Sequence, residues 1–340
     1  MPVNQVENLA QTCLEAIENS LKKAVLRSQE FGDSMLYDML AYHMGWVDEL
    51  DQVTTRGKRI RPLLVLLVCS AAGGDWNIAL PGATAVELIH NFSLIHDDIE
   101  DNSPTRRGRL SVWKKWGIPQ AINTGDAMFA LAHLEAIRLS QTVDSWVAIK
   151  SVDLLQRTCL HLTQGQFLDL SFESRSDLSV DDYWPMVEGK TAALIAASTK
   201  LGALAAYCDD AVIEAYHKFG RSLGLAFQVE DDLLGIWGNA LLTGKSTQSD
   251  LFTGKVTLPV LFGLSRAGKF ADLWNSGPIT EDKIHFVADL LEAEGAKEFA
   301  QSEARRLLQD AFSWLDRARP AGIAGEALRN LALSLVNRQS

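Results

Sequence analysis

Ala83-Thr84-Ala85-Val86-Glu87-Leu88-Ile89-His90-Asn91-Phe92-Ser93-Leu94-Ile95-His96-Asp97-Asp98-Ile99-Glu100-Asp101 reads with a helical period from end to end. Val86 to Ile95 is too apolar for a solvated face, so the stretch predicts a buried helix that opens toward polar space at its acidic end. Almost every other stretch repeats the period: Val6 to Leu26, Pro62 to Ala72, Ser145 to Phe172 and Ala211 to Gly235. Breakers separate them at Gly73-Gly74-Asp75, Pro81-Gly82, Asn102-Ser103-Pro104, Gly117-Ile118-Pro119 and Ser276-Gly277-Pro278. Strand signals are scarce and the gaps are short, as between antiparallel neighbours in a helical bundle. No Gly/Ser or Pro-rich linker divides the chain, so the expectation is one all-α domain over residues 1–340.

The acidic end carries the chemistry. Carboxylates at i, i+1 and i+4 put at least two of Asp97, Asp98 and Asp101 on one helix face. Such density is unfavourable without a cation, and hard oxygen ligands suit Mg²⁺, which completes its octahedron with water and substrate phosphate. Arg106 and Arg107 follow at once, and arginine grips diphosphate bidentately. Gly57-Lys58-Arg59-Ile60-Arg61-Pro62 sets cations beside a helix N-terminus, itself an anion site. Downstream, Gln228, Asp231 and Asp232 share a face at i, i+3 and i+4 of another apolar helix, and the two acidic helices are expected to face a shared cavity. Glu188-Gly189-Lys190-Thr191 and Thr243-Gly244-Lys245-Ser246 look like phosphate loops, but the upstream glycine of a nucleotide-hydrolase loop falls at Trp184 or Asn239. These patterns point to metal-assisted chemistry on a diphosphate.

Composition narrows the classes. The 340 residues are 47% apolar with a net charge of −11, which supports a large core and argues against nucleic acid as a partner. Cys13, Cys69, Cys159 and Cys208 are scattered, without disulfide or zinc spacing. The N-terminus lacks the order of a signal peptide, and the longest apolar run, Pro62 to Ala72, is about half the length needed to cross a bilayer. The expectation is a cytoplasmic protein with no transmembrane segment.

Taken in order, Gly57 to Pro62, Asp97 to Asp101 with Arg106-Arg107-Gly108, Gly165-Gln166-Phe167-Leu168-Asp169-Leu170, Gly189-Lys190-Thr191, Phe227 to Asp232 and a later Gly-Lys closely resemble the trans-isoprenyl diphosphate synthases, the polyprenyl synthetase family. The resemblance spans about Gly57 to Pro259. It implies an isoprenoid-synthase-type helical bundle around a deep central cavity, usually a homodimer, with three Mg²⁺ ions. It implies that Asp97 and Asp101 bind two ions and Asp231 the third, with Asp98 and Asp232 supporting. Arg106, Lys190 and Lys245 would hold an allylic diphosphate, and Lys58, Arg61, His90 and Arg107 isopentenyl diphosphate. Gln228 and Thr191 would face the developing allylic cation. One departure stands out: the last position of the second acidic motif is Gly235, which leaves open a weakened enzyme or a partner-dependent, noncatalytic subunit. A terpene cyclase is disfavoured by the second Asp pair and the retained isopentenyl-side cations. Product length in the family is set by bulk ahead of the first aspartate, here Phe92 and Ser93. Ser93 lies nearly in line with Asp97, and its small side chain favours twenty-carbon geranylgeranyl diphosphate, with fifteen-carbon farnesyl diphosphate as the alternative.

Overall fold

The computed structural model describes residues 3–32, 34–46, 57–172, 175–238 and 249–336. The helices run α1 (Val3–Leu26), α2 (Ser34–His43), α3 (Ile60–Ala71), α4 (Leu80–Glu100), α5 (Val112–Trp116), α6 (Ile118–Arg138), α7 (Ser145–Phe172) and α8 (Val180–Val187). They continue with α9 (Ala193–Ala205), α10 (Asp210–Trp237), α11 (Ser249–Thr253), α12 (Leu258–Ser265), α13 (Lys269–Asn275), α14 (Ile284–Ala293), α15 (Ala296–Ala318) and α16 (Gly322–Val336). Among the described residues the only strands are β1 (Thr105–Arg106) and β2 (Arg109–Leu110), an antiparallel pair in which Arg106 faces Arg109. The expected all-α class is therefore the observed one. By packing, the chain forms two compact units: Met1–Arg157 with Ala197–Glu214 and Ala318–Leu328, and Thr158–Ala196 with Ala215–Arg317 and Arg329–Ser340.

In the first unit α4 is central, packed on α1, α3 and α6. Its inner face is small and branched, with Ala83, Ala85, Val86, Leu88, Ile89 and Ile95 all buried. Pro81-Gly82, read from the sequence as a breaker, lies instead in the first turn of α4. Proline is tolerated there because that N–H has no intrahelical partner. Gly82 is in the helix for contact: a Cβ would stand 2.6 Å from Leu201 Cδ2. The segment Trp76–Glu100 contains an eighteen-residue stretch, with mean hydropathy 1.3, that is long and apolar enough to cross a bilayer, so the run Pro62 to Ala72 understated the apolar length available. Yet 61% of that stretch is buried inside the protein, as befits a core helix.

In the second unit Ser179 and Asp182 form a capping box that starts α8, with Asp182 Oδ2 accepting from Ser179 N at 2.9 Å. Pro185 sits inside α8, and the helix then widens into a π turn, Glu188–Ala192, before α9. That turn touches α7 backbone to backbone: a Cβ on Gly165 would lie 2.1 Å from Lys190 N, and one on Gly189 would lie 2.7 Å from His161 O. Ile236, Leu251, Val260, Phe270, Val287 and Leu291 form the core around which α10 to α14 pack.

Candidate active site

In the first unit, α4 ends among its own aspartates. Asp101 is the C-cap, its N–H bonded to Asp97 O at 2.8 Å, and Asn102 turns the chain away with φ +50°. The carboxylates then divide. Asp98 is 1% exposed and faces Arg106, whose Nε donates to Oδ2 at 2.8 Å while Nη2 lies 2.8 Å from Oδ1. Burial pushes the Asp98 carboxyl up from its usual range, and Arg106 pulls against that. Asp97 is half-buried and Asp101 exposed. Among the described residues no three His, Cys, Asp or Glu side chains already form an ion cage. Two carboxylates one helical turn apart fit Mg²⁺, which takes few protein oxygens and completes its shell with phosphate and water.

The two arginines are set by a hairpin that sequence reading missed. Arg107 (φ +52°) and Gly108 (φ +76°) are the central residues between β1 and β2, both left-handed as a tight I′-type turn requires. Gly57 makes room for this turn, since a Cβ there would stand 2.8 Å from Arg107 Nη2. Arg61 Nη1 lies 3.3 Å from His90 Nε2, and burial together with the Arg61 charge holds His90 well below its usual range. Lys58 is exposed. Thus Arg61 and His90 meet, Arg107 packs on the Gly57 backbone, and Lys58 stands at the surface.

Arg59, between them in sequence, does something else. It is 3% exposed and left-handed (φ +51°), and it ties three segments together: Nε to Glu18 at 2.7 Å, Nη1 to Glu87 at 2.8 Å and Nη2 to Met44 O at 3.1 Å. Burial opposes its charge, but Glu87 and Glu18 outweigh burial and hold the guanidinium above its usual range. His43 is a second buried group that the sequence did not single out, kept neutral by burial and by Arg107, Arg106, Arg59 and Arg109.

Ahead of the aspartates, Phe92 is half-buried with its ring 4.7 Å from Phe129 of α6 and 5.6 Å, edge-on, from His96. Ser93 turns its hydroxyl back onto His90 O at 2.9 Å.

In the second unit, α7, the π turn and α10 bring together the remaining candidates. Lys190 pairs with Asp169, which lies in the quoted Gly165 to Leu170 motif and was not singled out for a role; its carboxylate four residues past Gly165 was the available signal. Thr191 Oγ1 donates to Gln228 Oε1 at 2.6 Å, and Gln228 Nε2 donates to Asp232 Oδ1 at 2.9 Å. Asp232 Oδ2 accepts from Tyr183 OH at 2.7 Å and from Leu258 N at 3.1 Å. Expected to support a metal, Asp232 therefore has both oxygens occupied by protein donors, and burial pushes its carboxyl up to about 6. Asp231 beside it is half-buried. Asp169, Tyr183, Lys190, Thr191, Gln228 and Asp232 line one small cavity, together with Lys255, another cation the sequence reading passed over. Lys245, with Thr243, Gly244 and Ser246, lies outside the described residues.

Residues 46–288 match the family model for polyprenyl synthetase, well over half of the chain. The chain belongs to the polyprenyl synthetase family. Two curated relatives from Mycobacterium tuberculosis, a (2E,6E)-farnesyl diphosphate synthase and a geranylgeranyl diphosphate synthase, are each 40% identical to it. The first alignment covers 91% of this chain and 88% of the relative, the second 92% and 90%. The crystal structure of geranylgeranyl pyrophosphate synthase from Corynebacterium glutamicum, complexed with isoprenyl diphosphate and magnesium, superposes with a TM-score of 0.84. It is 27% identical and the match covers 96% of this chain and 98% of that one. This polyprenyl synthetase thus shares its all-α fold with prenyl diphosphate synthases over nearly its full length.

Proposed function

We propose that this polyprenyl synthetase condenses isopentenyl diphosphate with an allylic diphosphate to make a short all-trans prenyl diphosphate, with twenty-carbon geranylgeranyl diphosphate as its product. The observation that carries the reading is the same division in both acidic pairs. The second aspartate of each pair turns inward onto protein donors, Asp98 onto Arg106 and Asp232 onto Tyr183, Gln228 and Leu258 N. The first, Asp97 or Asp231, stands more exposed. A structural acidic turn has no reason to sort its carboxylates this way, whereas a pair that must hold an ion in a fixed place does.

Asp97 on α4 and Asp101 at its C-cap, with Asp231 on α10, would hold magnesium, three ions per site, which supplies Lewis-acid neutralisation of the departing diphosphate. Lys190, oriented by Asp169, joins Arg106 and Lys245 on the allylic diphosphate, while Lys58, Arg61, His90 and Arg107 take isopentenyl diphosphate. The allylic C–O bond breaks with its electron pair leaving on diphosphate. The isopentenyl double bond then attacks the allylic carbon, and the proton lost from the adduct passes to the released diphosphate. Thr191 and Gln228 present oxygens to the allylic cation, their geometry fixed by their mutual bond and by Asp232.

Phe92 on Phe129 would close the floor of the prenyl shaft, with Ser93 beside the tail. The bulk of that aromatic pair, with ring centroids 4.7 Å apart, favours a second reading, fifteen-carbon farnesyl diphosphate. The protein would work as a cytoplasmic homodimer, and the support for association is an exposed apolar set in the first unit: Leu134 and Ile137 on α6, and Trp146 and Ile149 on α7. Incubation with labelled isopentenyl diphosphate, Mg²⁺ and five-, ten- or fifteen-carbon primers tests the whole reading by chromatography of the dephosphorylated products. Phe92→Ala is expected to lengthen the product and Ser93→Phe to shorten it. No incorporation with any primer overturns the condensation, and unchanged length in both active variants overturns the floor.

A further inference from the structure

The two acidic segments differ at one position. Four residues after Asp97 stands Asp101, and four residues after Asp231 stands Gly235. Gly235 lies within α10 in ordinary helical backbone, so a left-handed conformation does not call for it, and glycine weakens a helix interior. What calls for glycine is space. A Cβ built on Gly235 would lie 2.0 Å from Asp250 Oδ2 and 2.6 Å from its Cγ. The Asp250 carboxylate thus occupies the volume where a side chain at 235 would begin, one helical turn beyond Asp231 on the same face. Asp250 is half-buried in α11, and its carbonyl accepts Lys255 N–H at 2.9 Å. The same short segment therefore delivers both this carboxylate and Lys255, which lines the cavity with Lys190. An acid beside Asp231 and a pair of lysines along the cavity are the two halves of a site for a cation-bound anion.

We propose that Asp250 supplies, from a separate helix, the carboxylate that α10 lacks at Gly235, and acts with Asp231 on the magnesium–diphosphate group. The inference rests on the function proposed above. On this view Gly235 is the opening through which the third carboxylate enters, and the second acidic segment is complete in space though interrupted in sequence. Asp250 orients the bound group or its metal waters, a role whose loss costs about 10- to 100-fold in metal affinity in well-studied sites.

Calorimetric titration of the full-length protein with inorganic diphosphate, at a series of Mg²⁺ concentrations, reads this without turnover. Melting curves in EDTA run in parallel. Asp250→Asn is expected to weaken Mg²⁺-dependent diphosphate binding about 10- to 100-fold, with the EDTA melt unchanged. Gly235→Asp alone is expected to melt lower, since its Cβ meets Asp250. Gly235→Asp combined with Asp250→Ala is expected to regain most of the affinity that Asp250→Ala loses, because the carboxylate returns to the same place from the other helix. Wild-type affinity in Asp250→Asn, whatever its melt, overturns the inference, as does a double variant that binds no better than Asp250→Ala. Wild-type protein that binds diphosphate without regard to Mg²⁺ overturns the proposed function and the inference with it. Asp231→Ala that loses binding while Asp250→Asn keeps it overturns the inference alone.

Discussion

Arg59→Met removes one cation from a run of three and separates architecture from ligand binding. Arg59 is 3% exposed and Glu87 2%, so the substitution leaves a buried carboxylate without its partner. Breaking a buried ion pair from one side costs about 3–5 kcal/mol. Asn91 Nδ2 still donates to Glu87 Oε1 at 2.9 Å, and Glu18 lies nearer solvent, which together favour the lower end of that range. At about 2–4 °C per kcal/mol for a unit of this size, the melting temperature should fall by about 6–12 °C. Because replacing a buried pair with apolar side chains is far cheaper than halving it, Arg59→Met with Glu87→Met should recover most of the loss. Lys58→Ala, at an exposed position, should leave the melt within about 1 °C while raising KM for isopentenyl diphosphate. Calorimetric or circular-dichroism melts with steady-state kinetics make the measurement. A fall under about 2 °C in Arg59→Met, or a double variant no better than the single, would refute the reasoning.

Asp97→Ala and Asp231→Ala should each lower Mg²⁺-supported turnover by at least about 10²-fold, and near-normal rates in either would remove that residue from the metal assignment. Gly165→Ala would set a Cβ 2.1 Å from Lys190 N, so the π turn must shift; a stability loss of about 1–3 kcal/mol with reduced kcat is expected, and wild-type kinetics would show that Lys190 tolerates the move. Asp232 titrates at about 6 in the fold against 3.8 in the unfolded chain, so the folded state binds its proton more tightly. Its contribution to stability is therefore greatest below about pH 4 and falls by about 3 kcal/mol in all as pH rises through and beyond 6. In metal-free protein Asp232→Asn should remove that share of the decline, and an unaltered pH profile of denaturant unfolding would contradict it.

The helix that carries the first aspartates could be read from sequence because its signal is local: an apolar run, then carboxylates, then Asn102-Ser103-Pro104. The observed α4 ends at Glu100, one residue short of the expected Asp101. Pro81-Gly82 misled because the same dipeptide suits a loop or a first turn, and only the Leu201 side chain against Gly82 distinguishes them. Composition marked Lys58, Arg59 and Arg61 as one basic cluster, but Glu18 and Glu87, distant in sequence, decide that Arg59 faces inward. The same holds for Asp98 and Asp232. Each looks like its neighbour in a list of carboxylates, and each is turned inward by a partner eight to forty-nine residues away. Gly235 was visible as a departure, but Asp250 filling its space is a contact between helices and leaves no trace in local spacing.

The apolar length of α4 bears on how the chain is made. Synthesis runs from the N-terminus, so α4 leaves the ribosome before α6, the helix that covers it most extensively. For that interval a stretch apolar enough to enter a bilayer stands partly bare, open to membrane insertion machinery and to other nascent chains. Glu87 near its middle is the safeguard, because a carboxylate at the centre of a would-be membrane helix opposes insertion by about 2.5–3.5 kcal/mol. Its partner Arg59, itself held by Glu18 and Met44 O, has already been synthesised by then, so the charge can be neutralised within the growing protein. The carboxylate that anchors a buried ion pair in the finished fold is thus also the group that makes this helix costly to place in a bilayer.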